Sequence, residues 1–176
     1  MFKKHWLMML LAFVVPIVAV FWWWGGFNNV EITEGEAGPY RIAYLMHEGD
    51  IANVRKTQKI VFDTLEQAGV EPGNNIVVLL TDPRKTPGVD QRAKVGYTIG
   101  AGDKIPQGLK EEVIPRRRVF MAKVHAGILL APSKAYQALY DHLKSQRLDI
   151  RMPTVEIYRP ANTVSAIGEL TVEMEQ

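Results

Sequence analysis

The sequence has 176 residues, no cysteine and a formal net charge of +2. The length suits one domain of ordinary size, and the lack of cysteine excludes a disulfide framework, a thiolate nucleophile and a zinc–thiolate site. Apart from Lys3 and Lys4 near the N-terminus, basic residues only balance the 19 acidic ones. Because phosphate-backbone binding needs a basic excess, no nucleic-acid partner is predicted.

The N-terminal segment "WLMMLLAFVVPIVAVFWWW", residues 6–24, is 19 residues long and carries no charge. A helix of that length matches a hydrocarbon core of about 30 Å, and its tryptophans suit a membrane interface. The run is longer than the apolar region of a signal peptide, and bulky residues follow it. It therefore predicts an uncleaved signal anchor, a single transmembrane helix within residues 1–24.

Lys3 and Lys4 are the only basic residues close to this segment. The positive-inside rule then places the N-terminus in the cytoplasm and the domain outside, in the periplasm if the protein is bacterial. Residues 25–37 are predicted to be a connector, and residues 38–176 the domain itself.

The first part of the domain predicts a strand at 39–47 and then a helix. Asp50 is a good N-cap for "IANVRKTQKIVFDTLEQAG", and Gly69 is a C-terminal stop signal. The apolar run "NIVVLLTD" and the stretch "RAKVGYTIG" each predict a strand, with a proline-containing loop between them. The order of elements is β-α-β-β.

The same order recurs after a polar connector. The stretch "RRRVFMAKVHAG", residues 116–127, predicts a strand, and "APSKAYQALYDHLKSQR" predicts a helix capped by Ser133, with Tyr136 and Tyr140 on its apolar stripe. The stretches "MPTVEIYRP" and "VSAIGELTVEM" predict two further strands.

The duplicated pattern predicts an α+β fold in which two helices cover one face of a shared antiparallel sheet. Strand side chains alternate between faces, so in "PTVEIYRP" Val155 and Ile157 share one face while Glu156 and Tyr158 share the other. The apolar pair is predicted to lie under the helices. Glu156 and Tyr158 are then expected to look into the opposite, open face of the sheet.

The stretches "GPYRIAYL", "VHAG…AYQALYDHL" and "PTVEIYRP", placed in this duplicated plan, resemble the GyrI-like small-molecule-binding family. That family supplies the effector domain of multidrug-sensing transcription activators and of DNA gyrase inhibitory proteins. The middle stretch "LLTDPRKTPGVDQRAKVGYTIG" is similar to a membrane-anchored branch of the family, the testis-expressed ER-phagy receptors. The resemblance covers residues 38–174 and implies the GyrI-like fold.

In multidrug-binding members of that family, the glutamate of the matching strand lies at the floor of an aromatic cleft and meets cationic, hydrophobic ligands. The resemblance therefore implies ligand binding by Glu156, with Tyr158 and Tyr97 as aromatic wall residues. A carboxylate and ring faces both attract a partly desolvated cation. The alternatives are a solvated glutamate on a wet sheet face and tyrosines that pack across strands.

The sequence thus predicts a membrane-tethered domain that binds a small hydrophobic, cationic or lipid-like ligand noncovalently, without a cofactor, a metal or an assigned catalytic residue. Membrane contact through residues 6–24 and a membrane or envelope protein are its predicted partners. One alternative is a ligand-free interaction module, favoured if loops 81–92 and 101–115 fill the cleft. The other is a small-ester hydrolase with Glu156 as general base, so an enzymatic role stays open.

Overall fold

The computed structural model describes residues 2–160 and 168–176. It is an α+β fold, and the part of the chain that it describes contains three α-helices and one eight-stranded antiparallel sheet. The helices are α1 (Phe2–Trp23), α2 (Val54–Gln67) and α3 (Ala131–Ser145). The strands are β1 (Glu31–Ala37), β2 (Tyr40–Glu48), β3 (Asn75–Leu79), β4 (Arg92–Thr98), β5 (Lys110–Ile114), β6 (Arg117–His125), β7 (Thr154–Arg159) and β8 (Glu169–Glu175).

The strands lie in the order β1-β6-β8-β7-β3-β4-β2-β5. Helix α2 packs on β2 and β4, whereas α3 packs mainly on β6 and β8. Each helix buries an apolar stripe, which includes Val61 and Leu65 on α2 and Leu139 and Leu143 on α3. Because the central strands β3 and β7 lie between the two covered regions, a groove runs above them on the helix side of the sheet. We call this the central groove.

The sheet curls so strongly that its two ends approach each other. Only Gly38 and Pro39 join β1 to β2, although six strand-to-strand steps separate these strands in the sheet. Two linking residues span at most about 11 Å, while six steps across a flat sheet span about 29 Å. The link between β5 and β6, residues 115–116, imposes the same restriction. The face away from the helices is therefore folded in on itself.

That inward face is filled by its own side chains rather than left open. Its apolar part consists of buried residues from four strands: Ile42, Ile76, Val78, Ile114, Val155 and Ile157. Beside them, the Tyr40 hydroxyl donates to Glu173 Oε1 at 2.6 Å, and Arg117 Nη2 lies 2.9 Å from Glu173 Oε2. We call Tyr40, Arg117 and Glu173 the sheet-closing cluster, because it connects β2, β6 and β8 across the curl. Burial and the bond to Glu173 raise the pKa of Tyr40 to about 12.

The predicted assignment of the two faces of β7 is wrong. Glu156 pairs with Val172, and Val172 belongs to the apolar cluster under α3. Residues directly opposite each other on neighbouring strands share a face, so Glu156 and Tyr158 lie on the helix side. Val155 and Ile157 point into the curled face. The apolar pair was expected under the helices, but the two helices do not cover the central strands. The opposite face is the better buried one at β7, because the sheet curls closed on that side.

The predicted transmembrane helix is also wrong. A span needs about 20 consecutive apolar residues to match the hydrocarbon core, and across residues 2–160 and 168–176 no helix is both long and apolar enough to cross a membrane. Helix α1 covers much of the predicted segment 6–24 and contains Pro16 in its interior. The predictions of a signal anchor, of a single-pass membrane location and of a periplasmic domain are overturned with it.

Smaller differences concern element boundaries. Part of the predicted connector 25–37 forms β1, and the polar connector before the second half contains β5. Helix α3 begins at Ala131, with Pro132 in its first turn, so Ser133 lies inside the helix rather than at its N-cap. Asp50 does act as a cap, since its Oδ1 accepts from Ala52 N at 2.8 Å at the short turn before α2. The predicted beginning of the last strand, at 164–167, lies outside the described residues.

Candidate functional site

The floor of the central groove is formed by the inner strands β3 and β7. Their helix-side residues pair directly across the two strands: Leu79 with Thr154, Val77 with Glu156, and Asn75 with Tyr158. Two aliphatic residues and Asn75 on β3 thus lie beside a row of polar side chains on β7. The polar row arises because every second residue of "TVEIYR" points to the same face.

Glu156 is the only carboxylate on this stretch of floor within the described strands, and it is deeply buried, at 6 % exposure. The Tyr158 hydroxyl donates to Glu156 Oε2 at 2.7 Å. On α3, the Tyr136 hydroxyl lies 2.7 Å from Thr154 Oγ1, close enough to the Glu156 carboxylate to lower its pKa. The carboxylate is therefore held between one tyrosine of the floor and one tyrosine of the wall.

These contacts shift the ionisation of all three groups. Burial raises the pKa of Glu156 above its ordinary value, and the hydrogen bonds from Tyr158 and Tyr136 oppose that rise. Burial, followed by the negative charge of Glu156, raises the pKa of both tyrosines far above the usual value. Both hydroxyls consequently keep their protons and act as donors to the carboxylate.

The groove encloses a cavity of about 620 Å³ around this carboxylate, which we call the first cavity. Its volume lies in the range of small-molecule sites, which combine apolar walls with a few convergent polar groups. Residues of the turn before α2, of α2 itself, of the loop before α3 and of α3 form the walls. They include Ile51, Val54, Gln58, Ile128, Pro132 and Tyr140.

The charged residues at the rim of the first cavity differ in whether an opposite charge lies beside them. Arg84 Nη2 pairs with Asp82 Oδ2 at 2.7 Å, and the Arg84 guanidinium also lies 5.8 Å from the centre of the Tyr140 ring. This hydrogen bond from Arg84 lowers the pKa of Asp82. Arg55 is exposed at the rim and lowers the otherwise raised pKa of Tyr158 through its positive charge. The uncompensated negative charge at the floor is Glu156.

The structure brings together two of the three predicted site residues. Glu156 and Tyr158 both line the first cavity, whereas Tyr97 lines a neighbouring cavity together with Tyr158. Tyr97 is buried, accepts from Gln58 Nε2 at 3.2 Å and packs edge-on against Phe62. Its pairing partner in the sheet, Asn75, separates it from Tyr158.

Sequence reasoning missed the wall contributed by α3. The apolar stripe of this helix predicts core packing for Tyr136 and Tyr140, but both line the first cavity. The available signal was the spacing of two hydroxyl-bearing rings one turn apart on the stripe, which places them on one helix face. Thr154 is likewise completely buried against Tyr136. Within the described residues, no group of three metal-ligating side chains could hold an ion.

No protein-family model matches the sequence, and no curated protein is similar to it. Solved structures are similar in fold. The chain superposes on EcmrR in the structure of its DNA complex with a TM-score of 0.66 at 9% identity, covering 99% of this chain and 68% of EcmrR. The isolated EcmrR C-terminal domain gives a TM-score of 0.65 at 12% identity and covers 83% of this chain and 96% of that domain.

A third solved structure is SAV2435 bound to tetraphenylphosphonium, with a TM-score of 0.53 at 8% identity over 82% of this chain and 93% of that one. At such identities the similarity shows the fold alone: it supports the fold that the predicted resemblance implies, while membership of the GyrI-like family stays a prediction. The predicted similarity to membrane-anchored members is not shown. One of these neighbours was solved in complex with DNA. The comparisons therefore give no support to the expectation that this protein has no nucleic-acid partner, and that expectation stays a prediction.

Proposed function

We propose that the protein binds a small hydrophobic cation noncovalently in the first cavity, with Glu156 supplying the charge. The observation that carries this proposal is a buried carboxylate on the floor of a 620 Å³ cavity whose walls are mainly apolar and aromatic. A cation entering this site gains a nearby opposite charge in a partly desolvated setting. It also gains aromatic contact with the tyrosine rings that line the cavity.

A second observation supports a binder over a ligand-free interaction module. Residues Asp82, Pro83 and Arg84 of the loop after β3 lie at the edge of the first cavity, yet its volume remains open. The loop after β4 contributes no residue to the cavity walls. A similar fold is occupied by tetraphenylphosphonium in SAV2435, which makes this lipophilic cation a suitable first probe.

The test compares tetraphenylphosphonium with the neutral aromatic compound triphenylphosphine oxide by isothermal titration calorimetry on the full chain. Removing one partner of a desolvated charge pair weakens binding by roughly 2 kcal/mol or more, which is about thirtyfold. We therefore expect Glu156→Gln to weaken binding of the cation by at least that factor while changing binding of the neutral compound little.

The matched control is Glu66→Gln, which removes an exposed carboxylate on α2 outside the groove. It should bind both compounds as the wild type does. Equal affinity of wild type and Glu156→Gln for the cation would overturn the proposal. Absence of binding in both proteins would favour the interaction module instead.

The ester hydrolase is a second candidate because burial raises the pKa of Glu156 and a tyrosine hydroxyl lies 2.7 Å from it. A carboxylate whose pKa is closer to the working pH is a better general base. Hydrolysis of p-nitrophenyl acetate that disappears in Glu156→Gln, while neutral-ligand binding persists, would support this reading. If p-nitrophenyl acetate is hydrolysed no faster with the protein than in buffer alone, hydrolase activity toward that ester is excluded.

A further inference from the structure

A second cavity, of about 640 Å³, lies beside the first one in the central groove. Five aromatic side chains dominate its described walls: Trp23, Trp24, Phe62, Tyr97 and Tyr158. Trp24 is held in place through its backbone, since its carbonyl oxygen accepts from Gly127 N at 2.9 Å. The charged groups of the described wall compensate each other, because Arg159 Nη1 lies 2.6 Å from Glu169 Oε1. This cavity therefore suits an apolar group.

The two cavities share three wall residues, Asn75, Ile128 and Tyr158. On the sheet, Tyr97, Asn75 and Tyr158 are direct neighbours across β4, β3 and β7. Glu156 lies two residues before Tyr158 on the same face, a separation of about 7 Å along the strand. One molecule of modest length can therefore contact Glu156 and also enter the second cavity.

The junction between the cavities contains a polar atom that the fold leaves unsatisfied. Asn75 Oδ1 is buried and has no hydrogen-bond partner among the described residues. Leaving a buried acceptor unpaired carries a free-energy cost. A ligand that crosses the junction with an N–H or O–H group would remove that cost.

We infer that the ligand is an elongated amphiphile with three parts: a cationic head at Glu156, a hydrogen-bond donor at Asn75 and an apolar tail in the second cavity. The inference rests on the proposed function, because it extends the same site. The inference can nevertheless fail while the proposed function stands. A compact cation could occupy the first cavity alone, in which case the second cavity and Asn75 would contribute nothing.

The test uses 3-(dimethylamino)propyl amides of linear acids from acetic to decanoic acid, titrated calorimetrically into the full chain. Their amine is protonated at neutral pH, and their amide N–H stands between the charge and the tail. Each methylene that becomes buried should raise the affinity by about fourfold. We expect this increase to continue into the longer members and to level off once the second cavity is full.

Gly127→Leu probes the second cavity directly. Gly127 lines this cavity, and an added Cβ there would lie 3.7 Å from Trp24, an ordinary contact. We therefore expect a leucine at this position to take up space in the cavity. The variant should stop the rise in affinity at a shorter tail. The matched control is Gly102→Leu, where an added Cβ meets no atom within 4 Å; it should leave the whole series unchanged.

The donor is tested with the corresponding esters, which lack the N–H group. An unpaired buried acceptor costs about 1–3 kcal/mol, so each amide should bind at least about fivefold more tightly than its ester. Asn75→Leu should abolish that preference.

The outcomes separate the two proposals. If affinity depends on Glu156 but neither on tail length nor on Gly127→Leu, the inference is wrong and the proposed function stands. Amides and esters of equal affinity would remove the donor from the inference. If Glu156→Gln binds the short amides as the wild type does, the proposed function itself fails.

Discussion

Glu156 is stabilised by two tyrosines and destabilised by its own burial. Burial is the largest influence on its ionisation, and the hydrogen bonds from Tyr158 and Tyr136 oppose it without outweighing it. The folded protein therefore keeps an ionisable carboxylate where an uncharged residue would be more stable. Such a conflict between stability and local chemistry is typical of functional sites.

This balance gives a prediction about stability and pH. The pKa of Glu156 is raised in the folded state above its ordinary value of 4.5, so the folded protein binds more protons than the unfolded chain as pH rises above that value. The contribution of Glu156 to the free energy of unfolding must therefore fall with rising pH across this window. We expect Glu156→Gln to unfold at a higher temperature than wild type near neutral pH, with the difference shrinking below about pH 4.

The measurement is thermal unfolding followed by circular dichroism across this pH range, without ligand. Glu66→Gln serves as the exposed control: because it retains Glu156, its unfolding temperature should follow that of wild type across the whole range. A Glu156→Gln protein that is less stable than wild type at neutral pH would mean that the tyrosine hydrogen bonds outweigh burial.

At the scale of single residues, the sequence indicated Glu156 and Tyr158 but not their surroundings. Alternation along β7 places both side chains on one face, and this much follows from sequence. It does not tell which face is covered, because coverage depends on where α2 and α3 settle over strands remote in sequence. For the same reason Tyr136 could not be recognised as a partner of Thr154.

Among the elements, the loop between β3 and β4 is organised by one buried side chain. Gln91 is 6 % exposed; its Oε1 accepts from Ile51 N at 3.0 Å, and its Nε2 donates to Thr86 O at 3.0 Å. It thus connects the loop at the edge of the first cavity to the turn that begins α2. Both segments contribute walls to that cavity.

We expect Gln91→Leu to loosen this loop and to weaken cation binding. The change leaves buried backbone groups without partners, at a cost of about 1–3 kcal/mol. Hydrogen exchange should become faster in residues 81–91 than in the central strands. The control Gln107→Leu alters an exposed glutamine in another loop and should leave exchange in 81–91 unchanged. Unaltered protection of that loop in Gln91→Leu would show that Gln91 does not organise it.

The elements with strong periodicity were predictable, and the edge strands were not. Strand β2 and helix α2 follow from their apolar patterns and from the Asp50 and Gly69 boundary signals. Strands β1 and β5 have the polar sequences "EITEGEA" and "KEEVI", which predict connectors. Each becomes a strand only through pairing with β6 or β2, which is a long-range effect that local patterns do not contain.

For the molecule as a whole, the sheet-closing cluster joins distant parts of the curled sheet. Glu173 is 2 % exposed and contacts both Tyr40 and Arg117. Removing one member of a buried ion pair leaves the other charge uncompensated, at a cost of about 3–5 kcal/mol. We therefore expect Glu173→Ala to lower the free energy of unfolding by that amount in urea denaturation.

The double variant Arg117→Met with Glu173→Leu should recover most of this loss, because neither charge remains buried. Asp63→Ala is the contrasting case, since it breaks an exposed pair with Lys59 and should cost less than about 0.5 kcal/mol. If Glu173→Ala costs no more than Asp63→Ala, the cluster does not stabilise the curl.

The pairing of the edge strands has a further consequence. The first β-α-β-β unit is β2-α2-β3-β4 and the second is β6-α3-β7-β8. Strand β1 precedes the first unit but pairs with β6 of the second, and β5 precedes the second unit but pairs with β2 of the first. Each half of the chain thus supplies a strand that completes the other half. A protein cut in the loop between β4 and β5 would yield two fragments that complement each other instead of two independent folds. Because α2 and α3 would belong to different fragments, reassembly itself would rebuild the central groove and with it the proposed ligand site.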